Sequence, residues 1–268
     1  MRLSKVYMGG LIAIAAVMLG SMAPLGSPAQ TTPPPDVDVQ ANQIASVTLA
    51  RGVQADTMFG QGLISPLGAG TRFINTDLPY AIVRMENLGP GVQVSFDLTD
   101  PNGPAYTVEA KLPPHRGNPK QFDFAAPLYI LGTDLETRLG TWRLQVKSID
   151  GPAYTATFQW TQATALELSR IQQARDDDPA KPDLHWRYGA ALALFGHTRE
   201  AIDELQEAIH HDARYALYHI TLGRVYERAG QRADAVREFQ AALALHGSFY
   251  DAVFSGWAQA HLAQLQAH

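Results

Sequence analysis

The chain has 268 residues, of which 46% are hydrophobic and 18% are charged, a composition typical of a globular protein long enough for two domains. The formal net charge of -5 at pH 7 argues against a nucleic-acid-binding protein, which usually has a basic face. The absence of cysteine excludes disulfides, thiol catalysis, zinc–thiolate sites and the acylated cysteine of a bacterial lipoprotein.

The first residues have the order of a secretory signal. Arg2 and Lys5 precede an apolar stretch, and small residues and prolines follow it. This order predicts a cleaved signal peptide over residues 1–29, and a second candidate cleavage site follows Ala23. Alternatively, residues 6–23 stay in place as a membrane anchor, because the stretch is just long enough to cross a bilayer. Both interpretations predict an exported protein, periplasmic or extracellular.

A proline-rich linker over residues 30–43 follows the signal. Its run of three prolines, 33–35, favours an extended and semi-rigid spacer. We expect no packed core in this linker.

Residues 44–162 alternate apolar and polar side chains, the pattern of half-buried antiparallel strands. The clearest alternating segments are 92–98, 106–112, 142–146 and 154–160. Turn sequences separate them, among them Asp100-Pro101-Asn102-Gly103 and Asp150-Gly151-Pro152. Further strands near 46–51, 80–88 and 121–124 bring the number to about seven, which suggests a β-sandwich.

The turn at 100–103 and the final strand pair within 140–158 resemble the immunoglobulin-like or fibronectin-like domains of bacterial envelope proteins. The resemblance implies an immunoglobulin-like antiparallel β-sandwich. No Cys–Trp–Cys framework is present, since the chain has no cysteine. The stretch 58–76, rich in glycine and proline, has no clear place in such a sandwich.

From Ala165 onward apolar residues recur at intervals of three and four, which indicates helices and a second domain over residues 163–268. When this segment is compared with itself at a shift of 34 residues, identical residue types coincide. The coinciding pairs are Gly189 and Gly223, Gly196 and Gly230, Ala201 and Ala235, Glu204 and Glu238, and Ala208 and Ala242. A fixed period of this kind predicts stacked repeats.

A period of 34 residues is the length of the tetratricopeptide unit, and Leu222-Gly223 followed by Tyr226 matches that family's pattern closely. The segment therefore resembles a tetratricopeptide-repeat protein. The resemblance implies an α-helical tetratricopeptide-repeat solenoid after the β-sandwich. Its two full repeats are 182–215 and 216–249, and its flanking helices are 165–175 and 249–267.

In this family the first helix of each repeat lines a concave groove, which the resemblance implies as the site for a segment of a protein or peptide partner. The matching positions are Trp186, Arg187, Ala190, Leu217, Ile220, Arg224, Glu227, Tyr250, Val253 and Trp257. Aromatic and arginine side chains are favoured as interface anchors. Alternatively, Trp186 and Trp257 are core residues, or the sandwich domain covers the groove.

Motifs for catalysis or metal binding are missing from the sequence. His185 and His219 occupy the same repeat position, but there is no HExxH spacing, and the acidic run 176–178 lacks the alternation of a calcium loop. No GxSxG element marks a nucleophile. We therefore expect no catalytic residue, no metal and no cofactor.

These patterns together predict a non-catalytic protein-binding or scaffolding module of the cell envelope, without a nucleic-acid partner. One alternative is a ligand- or carbohydrate-binding β-sandwich with the helical repeats as a structural appendage. Another is an enzyme whose active-site residues are dispersed along the sequence and form no recognised motif. The patterns indicate no particular oligomeric state.

Overall fold

The computed structural model describes residues 43–56, 63–86, 92–111, 121–148, 151–245 and 250–267. The predicted signal peptide, the alternative membrane anchor and nearly all of the linker lie outside the described residues. Within those residues, strands come first and helices second. The last strand ends at Thr161 and the first helix begins at Ala165.

The strands of the described residues form two sheets that pack face to face. They are β1 (Gln43–Asp56), β2 (Leu63–Ala69), β3 (Arg72–Ile74), β4 (Tyr80–Glu86), β5 (Gln93–Asp100), β6 (Gly103–Lys111), β7 (Gln121–Pro127), β8 (Gly140–Ser148) and β9 (Tyr154–Thr161). One sheet has the order β2-β1-β4-β7 and the other has the order β3-β9-β8-β5-β6. Alternation decides which side chains enter the core: in β5, for example, Val94, Phe96 and Leu98 are buried.

The prediction of a wholly antiparallel, immunoglobulin-like sandwich is wrong. β3 runs parallel to β9, with Phe73 opposite Trp160, so the five-stranded sheet is mixed. β2 and β3 both come from the stretch 58–76, which the prediction left without a place. β3 has three residues, too few for an alternating pattern to be visible, and side-chain alternation carries no information about strand direction.

Six helices follow in the described part of the chain. They are α1 (Ala165–Asp177), α2 (Pro182–Leu194), α3 (Thr198–His211), α4 (Ala216–Arg228), α5 (Arg232–Leu243) and α6 (Asp251–Ala267). α2 pairs with α3 and α4 pairs with α5, which confirms the predicted tetratricopeptide-like repeats. None of these helices is long and apolar enough to span a membrane.

Glycines set the geometry of both hairpins. Gly196 and Gly230 make the turns with φ of 83° and 74°, a region that glycine enters at little cost. At the helix crossings, a Cβ on Gly189 would lie 2.8 Å from Leu205, and one on Gly223 would lie 2.8 Å from Phe239. Because no such atom is present, each pair of helices can approach closely.

In each hairpin, a histidine of the first helix contacts both the second helix and the backbone that precedes the hairpin. The ring of His185 lies 2.7 Å from Glu204 Oε2 through Nδ1 and 2.8 Å from the carbonyl oxygen of Pro179 through Nε2. One period later the same arrangement recurs, with distances of 2.8 and 3.1 Å, in His219, Glu238 and Ala213. The shared repeat position of the two histidines therefore has a structural explanation.

Candidate functional site: the concave face of the helices

The predicted groove residues lie on one side of the helical array, on α2, α4 and α6 and just before α6. Most of them are buried: Trp186, Ala190, Leu217, Ile220, Arg224 and Tyr250. The others are partly buried: Arg187, Glu227, Val253 and Trp257. One continuous hydrophobic core joins this concave face to the β region. In the structure, the concave face is covered by the chain itself.

The covering element is residues 128–139, which connect β7 to β8 and which we call the junction segment. The β region holds this segment through two buried indoles. Trp142 Nε1 donates to the carbonyl oxygen of Arg138 at 2.8 Å, and Trp160 Nε1 donates to that of Glu136 at 3.1 Å. The segment is thus fixed to the β core on one side and presented to the helices on the other.

Gly132 brings the backbone of the junction segment close to the helices. Trp186 Nε1 donates to Thr221 Oγ1 at 2.9 Å, and the Thr221 hydroxyl lies 3.1 Å from the carbonyl oxygen of Gly132. A Cβ on Gly132 would lie 2.7 Å from that hydroxyl and 3.1 Å from the Trp186 ring, and the φ of Gly132 is 78°. Sterics and backbone conformation therefore both require glycine here.

Two acidic residues of the junction segment pair with α4. Arg224 Nε lies 2.8 Å from Asp134 Oδ1, and its Nη2 lies 3.4 Å from Glu136 Oε1. Arg228 Nη1 is 3.5 Å from the same Glu136 oxygen, while Glu136 Oε2 accepts a hydrogen bond from Gly132 N at 2.9 Å. Glu136 is 1% exposed, so its charge depends on these partners rather than on water.

His261 of α6 bridges the junction segment and α4. Its Nε2 lies 3.0 Å from Asp134 Oδ2, and its Nδ1 lies 2.7 Å from Glu227 Oε2. Burial lowers the pKa of His261, but the hydrogen bond to Asp134 and the charges of Asp134 and Glu227 outweigh it and raise the pKa above 6.5. Burial raises the pKa of Asp134, but His261 and Arg224 more than reverse this effect and hold it well below its usual value.

Tyrosines close the face on the α6 side. The hydroxyls of Tyr129 and Tyr215 hydrogen-bond to each other, and Tyr250 donates to the carbonyl oxygen of Pro127. The rings of Tyr129 and Tyr250 meet edge to face with centroids 4.6 Å apart. Burial raises the pKa of all three phenols well above 10, so they act as neutral hydrogen-bonding groups. Nearby, Trp257 meets Tyr106 of β6 edge to face at 5.6 Å.

Arg187 attaches α2 to the loop after β3. Its Nε donates to the carbonyl oxygen of Thr76 at 2.9 Å, and its Nη2 lies 3.4 Å from Asp77 Oδ1. Asp77 is itself held by Ile74 N at 3.0 Å and by Arg51 Nε at 3.1 Å. A predicted groove arginine is therefore used, in this structure, to fix the helices to the β region.

The contacts of the concave face are hydrogen bonds, ion pairs and apolar packing between the helices and the β region. The charged groups described above form a network in which each has at least one oppositely charged neighbour. Within the described residues, no group of three or more His, Cys, Asp or Glu side chains could hold a metal. In the same part of the chain, Tyr154 of β9 is an exposed aromatic side chain, at 37%.

The sequence analysis did not single out the junction segment. One signal was available: Asp134 and Glu136 follow an apolar run, and their charges complement Arg224 and Arg228. Nothing in a single sequence pairs residues about ninety positions apart, so the complementarity is visible only after folding. That the concave-face residues hold a partner segment stays a prediction.

No protein-family model matches the chain, and no curated protein matches it. Solved structures with partial similarity include MamA, 23% identical, where the match covers 29% of this chain and 43% of the other with a TM-score of 0.29. A complex of the TPR2B domain of yeast Sti1 with pHsp70 is 20% identical over 37% of this chain and 75% of that one, with a TM-score of 0.31. The C-terminal domain of Wzt is 9% identical over 46% of this chain and 75% of that one, with a TM-score of 0.29. The chain thus spans less than half the length of this MamA structure.

Proposed function

We propose that this chain is a non-catalytic protein-binding scaffold, exported to the cell envelope, whose helical hairpins hold a polypeptide segment on their concave side. One observation carries the proposal. Two side chains of the concave face donate hydrogen bonds to main-chain carbonyl groups outside the helices, Arg187 to Thr76 and Tyr250 to Pro127. The Thr221 hydroxyl lies 3.1 Å from the carbonyl oxygen of Gly132 and 2.8 Å from that of Leu217 in its own helix. Contacts to main-chain atoms suit polypeptide as a ligand, whatever its sequence.

A partner segment that uses these side chains has to displace the carbonyl groups of the β region that they contact, among them that of Gly132 in the junction segment. The apparent affinity for the partner is then the intrinsic affinity reduced by the fraction of molecules in which the face is open. A variant that opens the face without altering the helices should therefore bind more partner. Export rests on the signal-like order of residues 1–29, and the mass of the mature amino terminus tests it.

Gly132→Val is the variant that opens the face. A valine would collide with Thr221 and Trp186 on the helices and would adopt a φ of 78° only with strain. Gly196→Val is the matched control, because Gly196 has a φ of 83° and open space around it. The full-length variants would be expressed in the native cells, crosslinked and analysed by mass spectrometry. Circular dichroism would establish that both are folded.

We expect Gly132→Val to recover the partner in several times the amount found with the parent, and Gly196→Val to match the parent. If Gly132→Val is poorly folded, Asp134→Ala is a second variant, because it removes one of the contacts between Arg224 and the junction segment. The Asp134 side chain is 59% exposed, so the change should not disturb the core. Equal recovery of the same proteins from the parent and from the folded opening variant would show that the concave face is not the partner site.

A further inference from the structure

The contacts of the His261 ring are all favourable in only one of its protonation states. Its two ring nitrogens face carboxylate oxygens on two different elements, Asp134 in the junction segment and Glu227 on α4. A carboxylate offers only acceptors, so both nitrogens must carry hydrogen for both contacts to be favourable. The neutral ring has a single N–H, and in that form one carboxylate faces a lone pair.

We propose that His261, Asp134 and Glu227 form a pH-sensitive bridge that keeps the junction segment on the concave face while His261 is protonated and releases it as the histidine loses its proton. The bridge joins α6, α4 and the β region at one point. Losing the proton removes one hydrogen bond and leaves two carboxylates without the cation between them. The bridge itself is independent of any partner, and its effect on partner binding rests on the function proposed above.

The surroundings of the ring favour this role. From α4, Glu227 supports the charged ring, while Arg224 opposes it and also neutralises Asp134 at 2.8 Å. From α5, Phe239 stacks on the ring with centroids 4.8 Å apart, which fixes the ring plane without adding charge. His261 is 8% exposed, so its ring is largely shielded from water, whereas the Asp134 side chain is 59% exposed.

The direction of the pH effect follows from the contacts. In the closed form burial lowers the pKa of His261, but the contacts with Asp134 and Glu227 raise it above the ordinary value of 6.5. The contribution of Asp134 is lost when the segment leaves, so we infer that the closed form binds the proton more tightly. Below about pH 6.5, the ordinary pKa of histidine, the bridge therefore contributes its full stabilisation to the closed form. The contribution is lost as the pH rises through the raised pKa of the closed form. The fraction of molecules in which the junction segment has left the concave face should therefore increase toward alkaline pH.

Single-cysteine labelling measures opening in the full-length chain, because the natural sequence has no cysteine. Thr133→Cys places a thiol on the junction segment at a position that is 2% exposed, and Ala233→Cys places a reference thiol on the exposed side of α5. Dividing the iodoacetamide reaction rate of the thiol on the junction segment by that of the reference thiol removes most of the pH dependence that arises from ordinary thiol ionisation. We expect the ratio to rise about threefold or more between about pH 6 and about pH 8.5.

His261→Gln should abolish this dependence and keep the ratio near its high-pH value throughout, while His197→Gln, at an exposed histidine, should leave it unchanged. If His261→Gln does not fold, Asp134→Asn should reduce the slope, since it removes the charge on the junction segment. A ratio that is independent of pH in the parent, or an unaltered slope in the folded His261 or Asp134 variant, would overturn the bridge. A pH-dependent ratio together with unchanged crosslinked proteins would leave the bridge in place and contradict only the proposed function.

Discussion

Gly132 of the β region lies against Thr221 of α4 so closely that a Cβ on the glycine would stand 2.7 Å from the threonine hydroxyl. This contact defines how the two halves of the chain fit together. The turn at Gly132, which has no side chain, packs against the concave face of the helices. The hydroxyl of Thr221 lies 3.1 Å from the carbonyl oxygen of Gly132. The face that such helices could offer to another chain is here filled by the protein's own chain.

Gly132→Ala should destabilise the protein by about 2–4 kcal/mol, because it adds a steric conflict with Thr221 to the cost of a positive φ. Gly196→Ala should cost only about 1–2 kcal/mol, since its φ is similar and nothing lies within 4 Å of the added atom. Urea unfolding of both variants measures the difference. Equal losses would mean that the junction segment does not press on α4.

The helix crossings give a second comparison between glycines. Alanine normally favours a helix over glycine by about 1 kcal/mol, so Gly256→Ala, in open space on α6, should stabilise the protein by up to that amount. Gly223→Ala should instead destabilise it by about 1–3 kcal/mol, because the new atom would lie 2.8 Å from the Phe239 ring. Melting temperatures of the two variants test this, and a stabilising Gly223→Ala would contradict the close crossing of α4 and α5.

These glycines also show what a sequence can reveal. The pairs at a period of 34 residues predicted the hairpins, because a turn or a crossing constrains a residue through neighbours close to it in the chain. β3 and the junction segment were not predicted, because their contacts join residues that lie far apart in the chain. Phe73 pairs with Trp160, and Asp134 meets Arg224, across long separations that leave no periodic trace. The groove residues were predicted from the resemblance to tetratricopeptide repeats, whereas the segment that covers them was not predicted.

Arg224 and Glu136 should show strong energetic coupling. Arg224→Met leaves the more exposed Arg228 as the remaining cation beside the buried carboxylate of Glu136, so we expect a loss of about 3 kcal/mol in the free energy of unfolding. Replacing both, as Arg224→Met with Glu136→Gln, should cost clearly less than the sum of the single changes. A double-mutant cycle by urea unfolding measures the coupling, and additive losses would argue against the pair.

Stability should depend on pH through the same cluster. His261, with a raised pKa, contributes stability that is complete below about 6.5 and is lost as the pH rises through its pKa in the folded protein. Asp134, with a lowered pKa, contributes stability that is complete above about 3.8 and is lost as the pH falls through its folded value. The unfolding free energy, measured from about pH 4 to about pH 9, should fall on the alkaline side less steeply in His261→Gln than in the parent. Identical alkaline slopes in the two proteins would contradict the assignment to His261.

Residues 128–139 occupy the concave face, and a photo-crosslinking amino acid in place of Trp186 would detect this contact. Trp186 is 2% exposed and a Cβ on Gly132 would lie 3.1 Å from its ring, so the probe would sit against the segment. Irradiation of the purified full-length protein should give an intramolecular adduct that mass spectrometry maps to residues 128–139. A probe that reacts only with solvent or within the helices, with no adduct in the β region, would contradict the account.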